Sequence, residues 1–134
     1  MLKYLHKYAN PVRFLAVVLP IRKNTGLFSI FLILAGLVFA LFLSPPDYQQ
    51  KETVRIMYIH VPAAWMSLMI YAFIFFSSII FLVWKFPLFL ILAKESVTIG
   101  VIFTFSAIFS GSLWGKPTWG TYWVWDARLT SFLI

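Results

Sequence analysis

Three long apolar stretches divided by short polar breaks set the plan of this chain. Residues 27 to 43 carry no charge, and at 1.5 Å per residue these roughly 17 positions approach the lower limit for crossing a bilayer core of about 30 Å. Gly36 and Ala40 put small residues four apart on one face, which would let another helix come close. Ser44-Pro45-Pro46-Asp47 then stops the segment.

The stretch 44 to 60 is first polar, with Lys51, Glu52 and Arg55 beside Asp47. It then turns apolar, and Val54, Met57, Tyr58 and Val61 at helical spacing predict a short juxtamembrane helix leading into a second span, 61 to 83. Pro62 suits the first turn of that span, where a missing N–H does little harm. Trp84 and Lys85 are interface anchors at its far end. Phe86 to Ala93 is apolar but too short to cross, and with Lys94 and Glu95 behind it the expectation is a segment at the membrane surface. In the third span, 96 to 113, Ser96, Gly100, Thr104, Ala107 and Gly111 recur at helical spacing as one small face, expected to pack inside a bundle.

Beyond it, Gly115, Pro117 and Gly120 are expected to interrupt any helix, making 114 to 126 a shaped loop. Residues 127 to 134 begin a fourth span. The fold predicted is all-α: a polytopic transmembrane helical bundle with three complete spans and the start of a fourth, in one membrane domain over 1 to 134.

Ahead of the first span, Met1 to Asn10 has Lys3, His6 and Lys7 among apolar residues, a spacing suited to a short amphipathic helix on the membrane surface. His6 belongs to its solvated basic face. Pro20, followed by Ile21-Arg22-Lys23-Asn24, is expected to break the chain again within a basic segment, 1 to 25. The run Phe14 to Leu19 is too short for a cleaved signal, so the first long helix is expected to stay in place.

Composition agrees with a membrane protein: 62% of residues are hydrophobic and 11% charged, against about a quarter charged in soluble domains. The net charge of +7 raises the question of nucleic acid. It is better explained by basic residues at the ends of apolar segments. Lys3, Lys7, Arg13, Arg22, Lys23, Lys85 and Lys94 fall on one side, against Lys51, Arg55, Lys116 and Arg128 on the other. The N-terminus is therefore expected to be cytoplasmic, with His60 and the tryptophans after residue 113 on the outer side. The absence of cysteine excludes disulfides, thiolate metal sites and covalent haem attachment through C-x-x-C-H.

Four of the six tryptophans fall between Trp114 and Arg128, together with Tyr122. Trp65 and Trp84 are accounted for as interface anchors. For Trp114, Trp119, Trp123 and Trp125 two readings stay open, a platform for a flat ligand or an aromatic belt. Asp126 suits the N-cap of the helix that begins at Ala127. Arg128 stands in the first turn, where a cation opposes the helix dipole, so pairing with Asp126 or with an anionic ligand group is expected. His60, at the mouth of the second span, is either structural or an axial ligand to an iron. A non-haem metal site would want further ligands at matching spacing, and they are absent.

The run W-G-K-P-T-W-G-T-Y-W-V-W-D-A-R-L-T, Trp114 to Thr130, closely resembles the tryptophan-rich motif of the CcmC family, membrane proteins that handle haem during cytochrome c maturation. The haem lyase CcmF and the CcsA proteins share W-x-W-D but continue with proline and an acidic or polar residue. Here Asp126-Ala127-Arg128-Leu129-Thr130 resembles the CcmC continuation. His60, before Val61-Pro62-Ala63-Ala64-Trp65, is similar to the first of that family's two outer-face histidines.

The resemblance implies haem b carried as cargo against Trp114, Trp119, Trp123 and Trp125, near Asp126, with His60 as axial ligand. By charge alone, Lys116 and Arg128 suit the role of propionate partners. The resemblance also implies delivery to the chaperone CcmE, with CcmD and the CcmAB transporter as further partners. The location implied is a bacterial inner membrane, or the mitochondrial inner membrane if organellar, and the role is transport and assembly rather than enzymatic. Family members have about six spans and a second outer histidine after the motif, so this sequence is expected to be the N-terminal half. Thr118 and Tyr122 stand where other members often have Met and Trp. A small structural subunit and a haem lyase are the alternatives.

Overall fold

The computed structural model describes residues 10 to 134. The amphipathic helix expected over Met1 to Asn10, and the place of His6 on it, lie outside the described residues except for Asn10 itself. Four helices follow in order, and no strand occurs among the described residues, where Asp47 and Lys51 form one isolated bridge. Three helices are long and apolar enough to cross a membrane, so the all-α fold with three membrane-spanning helices is borne out.

Helix α1, Pro11–Val38, continues into a wider π turn, Phe39–Leu43. It starts where local chemistry favours a start: Asn10 Oδ1 accepts the Val12 N–H at 2.9 Å, and Pro11 takes the first helical position. Pro20 does not break the chain as expected but lies inside this helix. A proline there costs about 3 kcal/mol. Yet a helix that is already nucleated adds a hydrogen bond with each residue it fixes, and in an apolar setting helical backbone is what satisfies the remaining amides.

Helix α2, Val54–Trp84, absorbs the expected juxtamembrane helix into one continuous rod, which puts Pro62 beyond the first turn and His60 on the helix itself. Lys85 then takes a left-handed φ of 56°, its N–H bonding to the Phe81 carbonyl at 2.8 Å, and extended Phe86 leads straight into Pro87. Helix α3, Pro87–Trp119, therefore begins almost at once. Phe86 to Ala93 is not a separate segment but the cap and first turns of this helix, with Leu88 and Ala93 buried. Lys94 and Glu95 are both good helix formers, so a charge pair there interrupts apolarity without interrupting the helix. At about 50 Å, α3 exceeds a bilayer core and must tilt or project.

The two-residue connection makes α2 and α3 antiparallel neighbours, and the small face of α3 is where they meet, as expected. Thr104 Oγ1 and Ser67 Oγ share a hydrogen bond at 2.6 Å. A Cβ on Gly100 would stand 3.1 Å from Ile70 Cγ2, and Ala107 is almost completely buried. By contrast α1 has no buried residue. It is tied on at its C-terminal end, where Arg55 Nη1 donates to the Leu41 carbonyl at 2.7 Å.

Candidate functional site

The end of α3 and the start of α4, Ala127–Leu133, close over the end of the α2–α3 pair. Trp114 and Trp119 belong to α3 rather than to a loop, because Gly115 and Pro117 both stay helical. Pro117 removes one bond within the last turn, too little to end the helix. Gly115 is buried, and a Cβ on it would come 3.3 Å from both the Thr121 carbonyl and the Trp119 ring. That glycine serves close packing. Gly120, at φ 77°, is the residue that stops the helix, its N–H bonding to the Lys116 carbonyl at 3.0 Å.

After the turn, Asp126 caps α4 as expected: Oδ1 accepts the Leu129 N–H at 2.7 Å, and Oδ2 pairs with Arg128 Nη2 at 3.1 Å. The Leu129 N–H first, and then the charge of Arg128, hold the Asp126 carboxyl below its ordinary pKa. Its grip steers Arg128, whose guanidinium lies 5.6 Å from the centre of the Trp119 ring.

A cavity of about 440 Å³ results, within the range of small-molecule sites. Met57, His60, Val61 and Ala64 of α2 form one wall, and Ala107, Ile108, Gly111 and Ser112 of α3 the next. Trp114, Trp119, Tyr122 and Trp123 roof it, and Arg128, Leu129 and Phe132 close the last side. Trp114 meets Trp119 edge to face at 5.5 Å and is held from outside by Gln50, whose Oε1 accepts the indole N–H at 3.0 Å. Trp123 Nε1 is buried with no hydrogen-bond partner among the described residues.

Of the candidate residues, His60, Trp114, Trp119, Trp123 and Arg128 come together around this space. Trp125 is 76% exposed and packs on Trp123 from outside at 5.6 Å. Lys116 also stays off the lining: its Nζ donates to the Gly120 carbonyl at 3.1 Å and lies 5.0 Å from the Tyr122 ring centre. Asp126 acts through Arg128. His60 is anchored through Nδ1, 3.0 Å from the Ala107 carbonyl and 3.2 Å from Ser110 Oγ.

Met57, Ala64, Ile108, Ser112, Leu129 and Phe132 also line the cavity but were not singled out as site residues by sequence. Their signal was present in part, since Met57, Val61 and Ala64 lie three before, one after and four after His60 on a helix. Among the described residues no group of three or more His, Asp or Glu could hold a metal ion.

Chemically, the cavity is an apolar, aromatic slot with one imidazole and one guanidinium, suited to a flat, largely hydrophobic, anionic ligand with a metal centre. The fold and site thus define a multi-pass helical membrane protein with an aromatic-walled pocket at one end of a helix pair. The family model for CcmC, described as "Heme exporter protein C", matches residues 4–134, and the chain belongs to that family.

Heme exporter protein C of Bradyrhizobium diazoefficiens is 48% identical over 126 residues, 94% of this chain and 48% of that protein. Heme exporter protein C of Escherichia coli is 41% identical over 134 residues, 100% of this chain and 55% of its own length. A ccmC-like mitochondrial protein of Marchantia polymorpha, named for cytochrome c biosynthesis, is 51% identical over 104 residues, 78% of this chain and 46% of its own. The chain spans about half the length of the curated relatives it matches.

Proposed function

We propose that the chain binds haem b as cargo in this cavity and takes part in passing it on during c-type cytochrome maturation. The observation that carries the reading is that His60, three tryptophans and Arg128 line one apolar space. Aromatic walls offer a porphyrin large flat contact at little conformational cost. Imidazole is a common axial ligand for haem iron, and Nε2 of His60 makes no hydrogen bond to any described residue. Arg128 supplies the charge for a propionate, which would replace or share its pairing with Asp126. Trp123 Nε1, buried and unpartnered among the described residues, is a donor for a polar edge of the ligand.

Membership of the family supports the rest of the reading. Haem is received on the outer face of a bacterial or mitochondrial inner membrane, with the N-terminus cytoplasmic. It is delivered to CcmE, in company with CcmD and the CcmAB transporter. No substrate bond changes, so the role is that of an assembly factor. Lys116 and Trp125 support the turn that shapes the roof.

The test is haem titration of the detergent-purified protein followed by absorption. His60→Ala is expected to shift the haem spectrum and weaken binding, and Trp119→Ala together with Trp123→Ala to weaken it further. An identical spectrum and affinity in His60→Ala would refute the axial assignment.

A further inference from the structure

The contacts around His60 decide which of its nitrogens a ligand can use. A carbonyl only accepts, so the 3.0 Å approach of Nδ1 to the Ala107 oxygen requires the proton on Nδ1. Ser110 reinforces this. Its own hydroxyl proton goes to the Ser106 carbonyl at 2.6 Å, which leaves an oxygen lone pair facing Nδ1–H at 3.2 Å. In the neutral ring Nε2 is then a bare lone pair. It has no partner among the described residues and is not one of their sealed, unpartnered atoms, and its ring lines the cavity.

The ring's position is set as closely as its proton. It lies close against Gly111: a Cβ there would stand 2.9 Å from Cε1 and 3.3 Å from Nδ1. Any larger residue must push the imidazole away, whereas Gly36 of α1 has open space around it. Ser110 itself is buried. The three residues that meet the ring thus occupy one turn of α3, with Ala107 supplying its carbonyl, Ser110 its hydroxyl and Gly111 the room.

We propose that this turn is a positioning socket that presets His60 as its Nδ1–H tautomer with Nε2 offered to the cavity, before any ligand arrives. The inference rests on the haem reading for what binds Nε2, but the preset state is a property of the ligand-free protein. Ser110 is not on the cavity lining, whereas Gly111 is part of it beside His60. They act through His60, in the way outer-shell groups fix tautomer and raise ligand basicity at metal sites. An acceptor on Nδ1–H pushes electron density toward Nε2, which strengthens the bond to iron and favours its ferric state.

The experiment has two arms on the full chain in detergent. In the first, nitrogen NMR of the histidine ring is recorded without haem, in buffer alkaline enough to keep imidazole neutral. Wild type should show His60 protonated at Nδ1 alone; protonation at Nε2, or an even mixture, overturns the socket. In the second arm haem is added. Ser110→Ala should bind it about tenfold more weakly, with a lower iron–histidine stretching frequency in the ferrous protein and a raised midpoint potential. Ser110→Thr, which keeps the hydroxyl, should restore both spectroscopic values.

Gly111→Ala should lose the tautomer preference and the iron–histidine band together. Ser110→Ala removes one oxygen and no bulk, so it keeps the test decisive if Gly111→Ala fails to fold. If His60→Ala leaves the haem spectrum unchanged, the haem-ligand assignment fails while the nitrogen spectrum still judges the socket. If His60→Ala changes the spectrum but Ser110→Ala alters neither frequency nor potential, the socket fails alone.

Discussion

Helix α1 and the α2–α3 pair are built from similarly apolar residues, yet they end in opposite conditions. α1 buries none of its residues, whereas α2 buries Ala63, Ser67 and Ser77, and α3 buries Leu88, Ala93, Ala107, Ser110 and Gly115. All but one of those eight side chains are Ala, Ser or Gly. Apolarity drives a helix into a membrane but does not make it prefer a neighbouring helix to lipid, because both are equally oily. Close approach and hydrogen bonds create the preference. The cavity forms where that pair meets the tryptophan-bearing end of α3.

The sharpest way to break this contrast is to put the same bulk on each side of it. Gly111→Leu should reduce haem affinity about a hundredfold or more, the upper range for losing support around a metal ligand, because the new side chain must displace His60. Gly36→Leu should leave it unchanged, since a Cβ at Gly36 meets nothing within 4 Å. Equilibrium titration of both variants reads the difference directly, and equal losses would erase the distinction between the helices.

A smaller effect is expected at the tie between the two regions. Arg55→Met removes the donor to the Leu41 carbonyl at the end of α1, together with the ion pair to Glu52 at 3.1 Å. The charged hydrogen bond is worth about 1.5 kcal/mol, and most of the loss should appear as faster proteolysis of the 44 to 53 connection. Smaller again is the Ser67–Thr104 bond. A double-mutant cycle with Ser67→Ala and Thr104→Val should give a coupling of about 0.6 kcal/mol in denaturant titrations. Thr25→Val in α1 should cost almost nothing, because its hydroxyl bonds only the carbonyls of Ile21 and Arg22 in the same helix.

A further small effect, confined to acid, is expected at α4. The carboxyl of Asp126 has its pKa lowered in the folded chain from an ordinary 3.8, so its contribution is complete above the unfolded value and lost as pH falls through the folded one. Protection of the Leu129 amide from hydrogen exchange, relative to its intrinsic rate at each pH, should therefore fall only in acid. Asp126→Asn, which can still cap, should abolish that pH dependence while keeping the protection at neutral pH. Protection lost at neutral pH in that variant would mean that the pairing with Arg128, rather than the cap, holds the helix.

Much of this organisation was legible in local patterns. The small face of Gly100, Thr104, Ala107 and Gly111 announced the α2–α3 contact, and Asp126 announced its cap, because both follow from helical spacing and from side-chain reach over three residues. Breakers were read too strongly. Pro20, Gly115 and Pro117 all lie inside helices. The cost of each is a few kcal/mol at most, and where water is scarce the backbone has no better alternative to the helix. Gly120 differed because its left-handed φ ends the helix outright.

What the sequence alone determined is therefore what depends on neighbours along the chain: three helices apolar enough to span, a face of small residues, a capped fourth helix and a motif that marks the family. Tertiary structure decided which candidates share a space. Trp123 lines the cavity while Trp125, two residues on, faces out, and Lys116 turns to the Gly120 carbonyl instead of the pocket. His60 meets the Ala107 carbonyl across 47 positions of sequence. The rotation at which α2 and α3 lock together sets that contact, and it is fixed by the fit of Gly111 against an imidazole ring, a property of two helices that neither possesses alone.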